Sequence, residues 1–197
     1  MNLELFDYYL VAVNVIGFFL YLLNIFLYSY TEKGQIDNVL TVWSIIGGAI
    51  GIMFAILLFD RKPLKKIMMS RVFIICVFII EIILLLMVKG FHKENITLAF
   101  WEFFYKYKIL LIYLFFINLV AFVTYAYDKS SAIHHRSRIR IVTLLGLAII
   151  GGSIGSLLAM YLLRHKTRKD YFVVGVPLII FMQIIVLFYA MNANFYN

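Results

Sequence analysis

The sequence predicts an all-α, polytopic membrane protein whose six transmembrane helices form two three-helix repeats in inverted topology. Three observations lead there. The 197 residues are 64% hydrophobic and 14% charged, with a mean hydropathy of +0.97, which lies well outside the soluble globular range and makes lipid the main solvent. Six apolar runs approach the roughly 20 residues a helix needs to cross a bilayer. The third observation is an internal echo: sliding the chain by 104 positions pairs residues 45–65 with 149–169 without a gap, and ten of these twenty-one pairs are identical. Chance similarity between apolar segments comes from Leu, Ile and Val. Here Gly47, Gly48, Gly51, Lys62 and Lys65 fall in register with Gly151, Gly152, Gly155, Lys166 and Lys169, which points to duplication.

The first run, Tyr8–Tyr30, is read as a permanent span. No Lys or Arg precedes it, and Glu4 and Asp7 stand where a signal peptide carries positive charge. The second and third runs are Val39–Phe59 and Val72–Val88, the latter short and interrupted by Glu81. Leu110–Tyr127, Ile141–Leu163 and Tyr171–Met191 follow, and Pro177 in the last predicts a bend about one turn back. Uninterrupted apolar runs of this length, without two-residue alternation, select helices over a barrel. Residues 1–89 then form the first repeat, 90–108 an interfacial linker mixing Trp101, Phe103, Phe104 and Tyr105 with charges, and 109–197 the second repeat.

Because each repeat has an odd number of spans, the second copy enters the membrane from the opposite side, which is inverted-repeat topology. The charges agree. Alternate loops divide the 18 Lys and Arg nine against nine, so the positive-inside rule selects no orientation. The net charge of +8 sits in short loops beside apolar spans, where anionic lipid headgroups are the expected partner and nucleic acid is not. Cys76 is the single cysteine, which rules out an intramolecular disulfide. His134 and His135 fall on the membrane side opposite His92 and His165, so no metal site is expected, and no cofactor motif or familiar catalytic motif occurs. An enzyme would have to use dispersed residues.

Several motifs admit a structural and a functional reading. Gly47, Gly48 and Gly51, like Gly151, Gly152 and Gly155, either let the two glycine helices pack closely at the pseudo-symmetry axis or form a partly unwound segment beside a solute path. Lys62 and Lys65, with Arg164, His165, Lys166 and Lys169, either anchor helix ends at the lipid surface or bind anions and headgroups. Glu81 should face the bundle interior, where a carboxylate avoids a cost of at least ~2.5 kcal/mol against lipid. Asn24 and Asn118, taken as the mid-span asparagines of the two copies, are its expected partners, and the copies end these helices in Glu32-Lys33 and Asp128-Lys129. Asn118, Tyr125 and Lys129 share one helix stripe, read either as a polar interior or as simple interhelical hydrogen bonding.

Asn118, Asp128-Lys129, Ala132, Arg138-Ile139, Gly151-Gly152, Gly155, Met160 and Arg164-His165-Lys166-Thr167, with Lys169 and Phe172 beyond, resemble the bacterial membrane-protein family called domain of unknown function 1294. The likeness covers about Asn118 to Phe172. Where the family has proline and glutamate at a helix entry, this chain has Arg140 and Ile141, and its first half looks like a diverged second copy. The resemblance implies a multi-pass protein of the bacterial cell membrane and supplies no activity. The function expected from the sequence is a small inverted-repeat channel or transporter for a small anionic solute, with a homo-oligomer possible. The alternative is a headgroup-binding or accessory protein through which nothing crosses.

Overall fold

The computed structural model describes residues 5–30, 36–59, 68–92 and 96–193. Among them lie seven helices: α1 (Leu5–Tyr30), α2 (Asp37–Phe59), α3 (Met68–Val88), α4 (Phe100–Lys106), α5 (Lys108–Ile133), α6 (Ile141–Leu162) and α7 (Asp170–Asn192). All but α4 are long and apolar enough to cross a membrane, which makes this a multi-pass membrane protein. Only 11% of the most apolar window of α5 is buried within the protein, so most of its side chains require an apolar surrounding that water does not provide.

One departure from the sequence boundaries has a clear cause, and one expected break is found. Hydropathy ends the fourth span at Tyr127, yet α5 continues to Ile133, because Asp128 and Ser131 are buried against protein and do not end the helix at the membrane surface. The sixth span breaks at Val174, three residues before Pro177, as expected from the donor that proline lacks.

The chain divides into two compact units, residues 1–85 and 86–197. In the first, Tyr21 of α1, Leu40, Ile52 and Ala55 of α2 and Ile74 of α3 form the core, with Trp43 donating its indole N–H to the Val13 carbonyl at 2.9 Å. In the second, Ala121 and Tyr125 of α5, Leu144, Ala159 and Met160 of α6 and Phe172, Val176 and Ile179 of α7 are buried, with the Tyr125 and Phe172 rings edge to face. Between lipid-facing helices the hydrophobic effect adds little to association, so backbone proximity and hydrogen bonds must hold each unit together. In the segment before α5, Trp101 is 90% exposed, Lys108 lies over the Tyr105 ring at 4.5 Å, and Asn192 exchanges two hydrogen bonds with the backbone of Thr97.

Candidate functional site: two broken helices and a buried carboxylate

α2 and α6 are both broken in mid-span. The helices kink within Ser44–Gly48 and Ala148–Gly152, where one glycine of each segment leaves helical geometry for a positive φ: Gly47 at 112° and Gly151 at 126°. A side chain there would be strained, which is why the first glycine of each motif is needed. The third has another role. A Cβ on Gly51 would stand 1.9 Å from the Asn14 carbonyl oxygen, and one on Gly155 2.0 Å from that of Asn118, so the backbones of α1 and α2, and of α5 and α6, are in direct contact. Within each unit, the face that carries this third glycine is filled by the asparagine helix of that unit.

An asparagine seals each break. Asn118 Nδ2 donates to the Leu114 and Gly151 carbonyls at 2.7 and 2.9 Å, and its Oδ1 accepts the Gly155 N–H at 2.7 Å. Asn14 does the same with Leu10, Gly47 and Gly51 at 2.9, 2.9 and 2.7 Å. Tyr9 and Tyr113 each add a hydroxyl donated at 2.6 Å, to Ile46 O and Ile150 O. The counterpart of Asn118 is thus Asn14, and the pairing of Asn24 with Asn118 is corrected. A shift of 104 applied to the whole of α1 shows this, since it aligns Tyr9, Asn14, Tyr21 and Asn24 with Tyr113, Asn118, Tyr125 and Asp128.

The third helix of each unit also reaches the break, with different chemistry. Gln183 of α7 donates Nε2 to the Ala148 and Ile149 carbonyls at 2.7 and 3.0 Å, and its Oε1 accepts the Ser153 hydroxyl at 2.5 Å. In the first unit Glu81 of α3, buried at 9% exposure, accepts the Ala49 N–H on Oε2 at 3.1 Å while Oε1 has no hydrogen-bond partner. Asn24 and Asn118, its expected partners, have other hydrogen bonds: Asn24 with Ile36 and Asp37, Asn118 within its own unit.

Asn24 and Asp128 occupy equivalent places at the far ends of α1 and α5. Each accepts the backbone N–H of a residue just before the next helix, Asn24 from Ile36 at 3.1 Å and Asp128 from Ile139 at 2.9 Å. Asn24 Nδ2 then donates to Asp37 at 3.0 Å. Asp128, with no exposed surface, instead takes His165 Nε2 and Lys166 Nζ on one oxygen, both at 2.8 Å.

Neighbouring residues on a helix point about 100° apart, so His165 and Lys166 meet one atom only because the helix has ended. α6 stops at Leu162 in a Schellman turn: the Arg164 N–H goes to Tyr161 O at 3.2 Å and the His165 N–H to Met160 O at 3.0 Å. Arg164 holds the left-handed position usually given to glycine, at φ 47°, and Lys166 follows at φ 63°. The Lys166 ammonium also lies 4.8 Å from the centre of the Phe172 ring, itself edge-on to Tyr125. Burial lowers the Lys166 pKa below the ordinary lysine range, and Asp128 pulls it partly back.

The expected common face of Lys166 and Lys169 does not form, because no helix joins them. Lys166 turns inward and Lys169 is exposed, as is Arg164, while Lys129 is half-buried. Lys62 and Lys65 lie outside the described residues. Among the described residues no cluster of His, Cys, Asp or Glu could hold a metal ion.

Comparison with known proteins bears on the same region. The model of a family described as "Protein of unknown function (DUF1294)" matches residues 118–172, which begin at the sealing asparagine and end at the ring under Lys166. The "Uncharacterized protein YsdA" of Bacillus subtilis (strain 168) is 38% identical over 79 residues, covering 40% of this chain and 89% of YsdA. No solved structure matches the chain.

Proposed function

This chain belongs to the DUF1294 family, whose model spans the broken helix and the flanking Asp-Lys and Arg-His-Lys-Thr motifs of this sequence, and we propose that it is a fused pair of three-helix repeats in inverted topology that moves a small solute across the bacterial cell membrane. The repeats are residues 1–89 and 109–197, joined by the interfacial segment 90–108. One observation carries this reading: a mid-span helix break occurs in the same register in both halves, each with a polar side chain from the third helix reaching in. Irregular backbone at membrane depth persists only where protein buries it or where it lines a cavity, and broken helices at a repeat interface are where secondary transporters hold their cargo.

The relative YsdA supports the fusion, since nearly all of it aligns within 79 residues, so that one copy is close to a whole protein in that case. The basic helix ends, among them Arg136, Arg138, Arg140, Arg164, Arg168 and Lys169, favour an anionic solute and contact with anionic lipid headgroups. Lys166 is less suited to headgroup binding, because its charge is engaged by a buried carboxylate and an aromatic ring.

The test is a flux panel in proteoliposomes, across anions and pH, comparing the wild type with Gly151→Ala. Flux above protein-free vesicles that falls in the variant supports the proposal. No movement of any tested solute overturns it.

A further inference from the structure

We infer that Glu81 is a proton-binding site built into the broken helix of the first unit, carrying on Oε1 an exchangeable proton that Gln183 replaces with a fixed amide in the second. A helix broken at a positive-φ glycine releases carbonyls from the regular ladder, and in lipid each needs a donor. In the second unit the donor is visible: Gln183 Nε2 reaches both Ala148 O and Ile149 O. The 104-residue shift puts the corresponding carbonyls at Ser44 and Ile45. The third-helix side chain at that break is Glu81, and an ionised carboxylate can only accept.

Its two oxygens are used unequally. Oε2 takes the Ala49 N–H from the start of the second half-helix at 3.1 Å, as a carbonyl-type oxygen does. Oε1 is buried without a partner, and a methyl placed on Gly47 would come within 3.9 Å of it. A protonated Oε1 brings a donor to the break, while a bare one leaves a carboxylate buried at membrane depth with only the neutral Ala49, Ile50 and Asn14 groups about it, an arrangement of high cost. Among the described residues, Gly47, Ala49 and Ile50 from α2 and Asn14 from α1 face Glu81, with Tyr9 of α1 beside Gly47. None is charged. Tyr9 is the titratable one among them, and its hydroxyl is committed to the Ile46 carbonyl at 2.6 Å. Among the described residues no cation therefore holds Glu81 ionised, and the buried site exchanges with water when the break opens. The inference deepens the transport reading, since a carboxyl that gains and loses a proton at one break would couple solute movement to protons, but it stands on local geometry alone.

Infrared difference spectra of the full-length protein in phosphatidylglycerol vesicles, taken on exchange between acid and alkaline buffer, read the carboxyl directly and require no flux. The wild type is expected to show a protonated-carboxyl C=O band at neutral pH that disappears in Glu81→Gln, with the thermal midpoint of that variant unchanged because the amide supplies the same donor. An unchanged band in Glu81→Gln overturns the inference. Should Glu81→Gln fail to fold, Gln183→Glu decides: a second band of the same kind supports the site, and an ionised carboxylate at Gln183→Glu overturns it. A flux panel without transport leaves this result standing.

Discussion

Asn14 and Asn118, 104 positions apart, make the same three hydrogen bonds, and through them each fastens an asparagine helix to a broken glycine helix. The contact demands both partners: an amide with a donor and an acceptor, and a glycine that lets its N–H reach the acceptor.

Alanine at Gly155 or Gly51 is expected to disrupt this contact, because the added carbon would lie about 2 Å from a backbone oxygen in a neighbouring helix that cannot move aside alone. Gly146 is the control: nothing lies within 4 Å of a Cβ there. Gly146→Ala should stabilise α6 by up to about 1 kcal/mol through helix propensity. Thermal unfolding in detergent, followed by size-exclusion recovery, should place Gly146→Ala above and Gly155→Ala well below the wild type. Equal behaviour of the two would refute the close-contact role of Gly155.

The lysines near the end of α6 should separate sharply. Lys166→Gln leaves the fully buried Asp128 without its ammonium partner, and breaking a buried pair from one side costs about 3–5 kcal/mol. Asp128→Asn should cost a similar amount, and the double variant less than the sum of the two, because the pair is coupled. Lys169→Gln, on an exposed side chain, should stay within about 0.5 kcal/mol. A double-mutant cycle on thermal stability measures this, and additive losses at positions 128 and 166 would count against the pairing.

Arg164→Gly should raise stability, since glycine takes the left-handed C′ position without the roughly 1–2 kcal/mol that a side chain costs there. The exposed Arg164 side chain gives up little in return. If Arg164→Gly instead lowers the midpoint, the guanidinium itself must be contributing to the loop, and titration with anionic lipid would show whether a headgroup is its partner.

Much of this protein was determined by the sequence alone, because lipid imposes simple rules on a chain. Apolar length specifies six spans, Glu81 must face inward, Pro177 breaks a helix one turn back, and one glycine pattern recurs in register 104 positions along. These are consequences of backbone hydrogen bonding and transfer energy, which act residue by residue along the chain.

The tertiary structure decided which residues act together. Asn24 and Asn118 look alike as lone asparagines in apolar helices, yet Asn118 shares its role with Asn14, and Asn24 shares its role with Asp128. Lys166 and Lys169 look like a matched pair three residues apart, until a left-handed turn at Arg164 sends one inward to a buried carboxylate and leaves the other in the open. The physical reason is the same in both cases. A hydrogen bond or an ion pair depends on angles and distances set by a neighbouring helix, and residue type and spacing do not encode which neighbour that will be.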